Sequence, residues 1–398
     1  MTSPTLDAEP ACPGAAAALG RLVTQRDSAV LRAERRPIAD IAPTTWDALA
    51  ASNPWATPFS AWAFQRAWWD AYGENAHEET VVVVPRGAPP GADPIAIVPL
   101  MHRYEVEPSD ALTHTRMRHG ADMELTTVSP SATGIFFGAS YHADYATVLA
   151  DPRDLPAVSD AVATYLGGGG SHRWDVVDLR RLRCGDPAAE ELAAALGARE
   201  MTHGWTLNVE REGVCPVVTL PDGADVDGWL GTLGKKERHE IRRKFRRAES
   251  VGEVRLVDSP DPLADLDRFI ELHQKRWGHD GLFPATPGGE QSRVLFRRLF
   301  ELFGPTGPLR LAVLSVGTRS IAAGIHFETP DGYLYYNAGV DPEARDLSPG
   351  VLLTYLYVVR ALASGKRRLD FLRGDEAYKY EWGAADEPIQ RLLVRRRD

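Results

Sequence analysis

Thiols are scarce in this chain. Its 398 residues hold three cysteines, Cys12, Cys184 and Cys215, too few and too widely spaced for a disulfide framework or a four-ligand zinc site. There is no HExxH, no paired CxxC and no Asp-rich calcium loop, so neither a metal nor a redox cofactor is expected. Gly324, Gly332 and Gly339 do not form the glycine fingerprint that follows a single strand in dinucleotide-binding proteins. No apolar run reaches about 18 residues, and the first residues lack the basic start and apolar stretch of a signal peptide. The expectation is a protein with no transmembrane segment, in a reducing cytoplasm. Basic residues are outnumbered as well, 45 against 55 acids, for a net charge of -10. The positive charge is local: residues 235–247 hold eight Lys/Arg against two Glu, and the acidic remainder argues against general DNA binding.

What is present is ordinary in bulk, with 44% apolar and 25% charged residues. A chain of this length exceeds what one hydrophobic core usually serves, which predicts two domains. Residues 1–37, rich in Ala and Pro, read as a disordered leader; 38–213 as a first lobe; 214–229, with Pro, Gly and Asp, as a connector; and 230–398 as a second lobe.

In the second half, 254–257 reads as a short strand, and 262–277 and 290–303 show helical spacing. Three strand-like runs follow, 309–316, 321–328 and 333–340, joined by turns as an antiparallel meander. Then come an apolar helix at 349–363, a strand at 368–372, a helical turn at 375–382 and a last strand at 389–395. The first half repeats nearly this order, with helices at 60–72, 155–166 and 188–196, a hairpin of 80–84 with 94–101, and strands at 134–138, 174–179 and 205–209. One topology used twice is the economical reading. The fold class is α/β, a mixed sheet with helices on both faces.

Residues 370–382 gather acid, base, phenol, ammonium and indole after Gly374 at a strand end, a mixture that no packing rule asks for. Residues 345–350, Arg-Asp-Leu-Ser-Pro-Gly, open the apolar helix. Ser348 suits the N-cap and Pro349 the first helical position, and the amides there form an anion site. Asn337, Ala338 and Gly339 are small enough for a ligand to approach the strand. Residues 235–247 place Ile241, Phe245 and Ala248 in a narrow apolar stripe under a broad basic face.

Lys235-Lys236-Glu237-Arg238 with Arg242-Arg243, Leu272-His273 with Arg276-Trp277, Leu347-Ser348-Pro349-Gly350, and Asp370-Phe371-Leu372-Arg373-Gly374 followed by Tyr378-Lys379 and Trp382 occur in the element order above. Together they resemble the BioF2-like/CelD-type acetyltransferases of the GNAT fold, relatives of the FemAB peptidyltransferases, which carry two GNAT-like lobes. The likeness is densest over about 230–383; over about 40–210 it rests on Asp144-Tyr145 and the Trp68-Trp69 helix. It implies two tandem GNAT-like lobes that move an acyl group from acetyl-CoA or another acyl-CoA to an amine. Some members are associated with cellulose or other exopolysaccharide synthesis, and the FemAB relatives take the acyl group from aminoacyl-tRNA. The usual phosphate turn of the fold is Gln/Arg-x-x-Gly-x-Gly/Ala; here there is one glycine, at a longer spacing from Arg345.

In that frame the donor meets Asn337, Gly339, Arg345, Ser348, Gly350 and Arg373. Lys379 stabilises charge on the reacting carbonyl oxygen. Glu376 and Tyr378 are further catalytic candidates, and Asp370 is a structural partner for Arg373. His273, Arg276, Trp277 and Trp382 face the acceptor, a small-molecule, saccharide or peptide amine. No Ser-His-Asp or Cys-His pairing is visible, so transfer is expected to be direct. Two other readings stand beside this one: the same fold fed by aminoacyl-tRNA, with the basic helix contacting tRNA, and a non-catalytic scaffold or nucleic-acid-binding protein that uses that helix alone.

Overall fold

The structure is a computed structural model that describes residues 30–104, 125–139 and 142–397. The first half supplies β1 (Leu31–Arg35), β2 (His77–Glu78), β3 (Val81–Pro85), β4 (Ala96–Val98), β5 (Leu100–Arg103), β6 (Gly134–Phe137), β7 (Leu149–Ala150) and β8 (Val176–Arg183). Helices Pro43–Ser52, Trp62–Tyr72, Leu155–Gly167 and Pro187–Gly197 lie between them. β9 (Trp205–Thr219) leads through helices Val226–Thr232 and Lys235–Glu249 to β10 (Val254–Asp258), and helices Pro262–Trp277 and Pro287–Phe303 follow. The meander is β11 (Leu309–Val316), β12 (Arg319–Glu328) and β13 (Gly332–Val340). After helix Pro349–Ala363 come β14 (Arg368–Asp370), one helical turn at Ala377–Tyr380, and β15 (Ala385–Arg396).

Local chemistry sets these boundaries. Asp261 accepts from the Ala264 amide ahead of Pro262, and Thr286 accepts from Gly289 ahead of Pro287, so both helices start on a capping side chain with proline in the first turn. Gly304, at φ 64°, ends the second of them in a positive-φ conformation that a side chain would strain.

Eleven strands form one sheet in the order β10-β11-β12-β13-β14-β9-β15-β8-β6-β5-β2, and β1-β3-β4-β7 form a smaller one. Each half contains one parallel pair closed by a helix. Gly134–Phe136 pairs with Val176–Asp178 around helix Leu155–Gly167, and Gly332–Leu334 pairs with Arg368–Asp370 around helix Pro349–Ala363. A buried aspartate ends the pairing in both, Asp178 and Asp370, and a non-glycine residue with positive φ follows in both, Arg181 and Leu372. The chain is thus one α/β topology built twice into a shared mixed sheet.

The halves are fused through packing as well. Phe59, Phe64, Trp68 and Tyr72 share a core with Phe269, Phe296, Phe300 and Phe327. Each fully buried aromatic side chain is worth about 1.5–3 kcal/mol, so this seam stabilises the whole.

Three sequence expectations change. Residues 31–35, placed in the leader, form β1 and pair with β3 from Leu31↔Pro85 to Arg35↔Val81; residues 1–29 of that leader lie outside the described residues. The run 94–101 is two strands, because Pro99 has no N–H for the ladder, so β4 and β5 enter different sheets on either side of it. Residues 214–219, read as the start of a connector, extend β9. There the Pro216 carbonyl accepts from the Phe371 amide at 3.0 Å, so the proline contributes to pairing through the one backbone group it keeps.

Candidate active site

The parallel pairing of β13 with β14 stops at Leu334↔Asp370. Beyond it β13 carries a bulge at Tyr336, between the Ile325↔Asn337 and His326↔Tyr335 pairs, and the two strands part. A cavity of about 420 Å³ opens where they diverge. Tyr335 to Ala338 line one side of it, Phe371 to Arg373 another, and Gly350, Val351 and Thr354 of helix Pro349–Ala363 a third. His273, Arg276 and Trp277 enter from helix Pro262–Trp277, which packs on β13, and His142 and Asp144 reach in from the first half.

The turn after β14 is held from both ends. Leu372 sits at φ 57°, a conformation that costs a branched, non-glycine residue on the order of 1 kcal/mol. Its amide donates to Asp370 Oδ1 at 2.8 Å, and its carbonyl faces Lys379 Nζ at 3.3 Å. That ammonium also donates to the carbonyls of Arg373 at 3.1 Å and Gly374 at 2.9 Å, and lies 2.9 Å from Glu376 Oε2. With its side chain 3% exposed, Lys379 spends its hydrogen bonds on this turn. It organises the site before any charge develops in a ligand.

Asp370 is equally enclosed. Tyr145, from the first half, donates its hydroxyl to Oδ2 at 2.8 Å. Burial pushes the carboxyl up to about 6, against the pull of Arg368 and of these hydrogen bonds. Its partners are therefore Tyr145, the Leu372 amide and Arg368; the Arg373 expected from sequence turns instead to Asp144, with Nε 2.9 Å from Oδ1. Beside that ion pair, His142 faces Tyr72 with 2.8 Å between Nε2 and the hydroxyl, and burial, helped by Arg373, pushes its imidazole down to about 3. The ring is neutral at any physiological pH.

The expected donor residues divide. Gly350 lines the cavity, a side chain there would meet nothing within 4 Å, and its amide is engaged by no described residue. The neighbouring amides of Val351 and Leu352 already donate to the Ser348 carbonyl, at 3.0 and 3.2 Å, so the anion cradle is narrower than the sequence suggests. Ser348 occupies the N-cap position at φ 56°, ψ 56° and makes no side-chain cap, because a capping oxygen needs an extended backbone to reach the first amides. Arg345 is exposed and, like Ser348, is not among the lining residues. Asn337 lines the cavity. Gly339 does not: a Cβ there would stand 2.4 Å from the His273 amide nitrogen, so this glycine brings β13 against helix Pro262–Trp277.

The other expected residues all line the cavity: Lys379, Tyr378, Glu376, Arg373, His273, Arg276, Trp277 and Trp382. Tyr378 is 43% exposed, at the mouth. Trp382 is buried and stacks on Trp229, with 6.1 Å between centroids and 7° between planes, so it is more floor than handle. His326, elsewhere on β12, is buried and bonded to the Tyr357 hydroxyl at 2.8 Å. Sequence reasoning missed His142, Tyr335, Tyr336, Thr354 and Glu381 as site residues and assigned no role there to Asp144. Glu381, inside the motif run, carried the one signal that was available.

The buried aspartate of the first half has a different partner: Arg391 of β15 places Nε and Nη2 each 2.7 Å from Asp178 and Nη1 3.1 Å from Glu210. The helix that closes the parallel pair there begins beside Asp151 and Asp154, whose charge repels an anion.

Among the described residues no group of three or more His, Cys, Asp or Glu is arranged to hold a metal ion, and no helix is long and apolar enough to cross a membrane. Residues 235–380 match a family model described as an acetyltransferase (GNAT) domain. No curated protein matches the sequence. Among solved structures the chain is similar to FemX, with a TM-score of 0.56 at 10% identity over 88% of this chain and 96% of that one. It is also similar to a conserved protein of unknown function from Bacteroides thetaiotaomicron VPI-5482, with a TM-score of 0.51 at 12% identity over 90% and 98%. At such identities these likenesses speak for the fold, which is that of the GNAT proteins in two lobes.

Proposed function

We propose that this chain is an N-acyltransferase of the BioF2-like branch, moving an acyl group, most simply acetyl, from an acyl-CoA thioester to an amine. The observation that carries the reading is the parting of β13 from β14 onto a cavity that also receives the free amide of Gly350 at a helix start. A thioester's amide-bearing arm would pair with the unpartnered edge of β13 around Asn337 and Ala338, with a donor phosphate at Gly350 and the helix dipole behind it. The cavity accommodates the arm and the acyl group, and the nucleotide would lie outside.

The reaction is direct. The amine nitrogen attacks the thioester carbonyl, the C–N bond forms as the C–S bond breaks, and the thiol leaves with the proton that the nitrogen gives up. Lys379 acts as a positioning residue, fixing the turn whose residues border the reacting carbonyl, with Glu376 as its counter-ion. Tyr378, which lines the cavity mouth, would return a proton to sulfur.

A thermal-shift panel of acyl-CoA thioesters, followed by thiol-release assays, tests this. Binding to the native state raises the melting temperature with ligand concentration, by about 2.7 kcal/mol of stabilisation at a hundred times Kd. If no thioester shifts the transition while aminoacyl-tRNA does, the donor is the tRNA. The basic face of helix Lys235–Glu249, where Lys235, Lys236 and Arg246 are exposed, is then the surface to mutate.

A further inference from the structure

We infer that the acceptor carries an anionic oxygen beside its amine and that Arg373 selects it. The inference rests on the acyl-transfer reading above and names the class of molecule that enters the cleft. The Arg373 side chain is 11% exposed and Asp144 13%, and their contact is the single Nε–Oδ1 bond. Nη1 is buried with no hydrogen-bond partner among the described residues, and Nη2, which is not buried, donates to none of them either, which leaves it as the donor that can face a ligand. A guanidinium has five donors in a rigid fork and cannot lose its charge, so the side of it that borders the cavity is built to receive an oxygen.

The rest of the lining supports a ligand of mixed sign. Arg276 stacks over Trp277 at 4.8 Å and has no carboxylate partner among the described residues. Glu381 has no cation partner among them, while Asp280 stands 3.2 Å from the His279 ring. Lys379 cannot serve as the anion receptor, because carbonyls and Glu376 already surround it. Free guanidinium donors and a free carboxylate in one cleft complement a molecule that bears both an amine and an anion.

Position moves Arg373 from the donor, where the sequence reading put it, to the acceptor: its guanidinium is tied to Asp144 of the first half, next to His142, whereas Gly350 and the β13 edge, the remaining donor elements, lie in the second half alone. The anion does not react. It orients the amine, which attacks as written above with the same balance of bonds and protons.

Purified full-length protein with acetyl-CoA should be assayed against amino acids, phosphoethanolamine and their neutral counterparts, ethanolamine and the decarboxylated amines. At least one anionic class is expected to exceed its neutral partners by tenfold or more in kcat/KM, and the better class identifies the anion as carboxylate or phosphate. Arg373→Gln should raise KM for the anionic acceptor roughly ten- to hundredfold, the worth of a charged hydrogen bond, and so collapse the preference over the neutral partner. Equal rates for anionic and neutral amines in the parent protein overturn the inference, whether or not the variant folds. So does an Arg373→Gln protein that binds coenzyme A more weakly yet keeps the preference. If no thioester is bound or turned over, the acyl-transfer reading has failed, and calorimetric titration with the same amines still reports whether an anion is required.

Discussion

Two buried charges carry the site's order at the scale of single residues, and each gives a measurable prediction. Lys379→Met removes the donor from three carbonyls and the counter-ion from Glu376; unfolding in urea is expected to show a loss of about 2–4 kcal/mol. Asp370 titrates at about 6 in the folded protein against 3.8 ordinarily, so the native state holds its proton more tightly. The stability this group contributes is complete below about pH 3.8 and is lost as pH rises through about 6. Asp370→Asn should therefore flatten the difference in unfolding free energy between pH 4 and pH 7, since its amide oxygen can still accept from Leu372 N–H while the titrating carboxyl is gone. The motif run 370–382 announced this turn because its mixture of groups is local. The Arg373–Asp144 bond was illegible, because a charge pair separated by more than half the chain leaves no mark on spacing or periodicity.

At the scale of elements, legibility followed the backbone signals. The bounds of helix Pro349–Ala363 matched expectation because proline at its start and Gly365 after it are positional cues. β9 was cut short because the Pro, Gly and Asp of 214–229 look like a connector; in the sheet Pro216 needs only its carbonyl, and Gly213 pairs with Ile389 of β15. Two glycines beside the cleft should separate under substitution. In Gly339→Ala the new methyl meets backbone atoms of His273 and Leu272, with a loss of about 1–3 kcal/mol by chemical denaturation. Gly350→Ala has open space and should melt no lower than the parent, yet the methyl enters the donor cradle and coenzyme A affinity should fall several-fold by calorimetry.

At the scale of the molecule, the two lobes legible as a repeated order of elements share a continuous sheet and an aromatic seam. Unfolding followed by tryptophan fluorescence and by far-UV circular dichroism should coincide in one transition. A fragment of residues 230–398 leaves β14 and β15 without β9 and should fail to fold cooperatively; two resolved transitions, or a well-folded fragment, would contradict this. The sheet order has a consequence for synthesis. β15 lies between β8 and β9, which leave the ribosome long before it does. At about 5–20 residues per second they wait on the order of ten seconds with facing edges unfilled. A nascent chain held in that state is open to pairing with a neighbour, so the yield of this protein in a cell depends on what shields the slot during translation as much as on the stability of the finished fold.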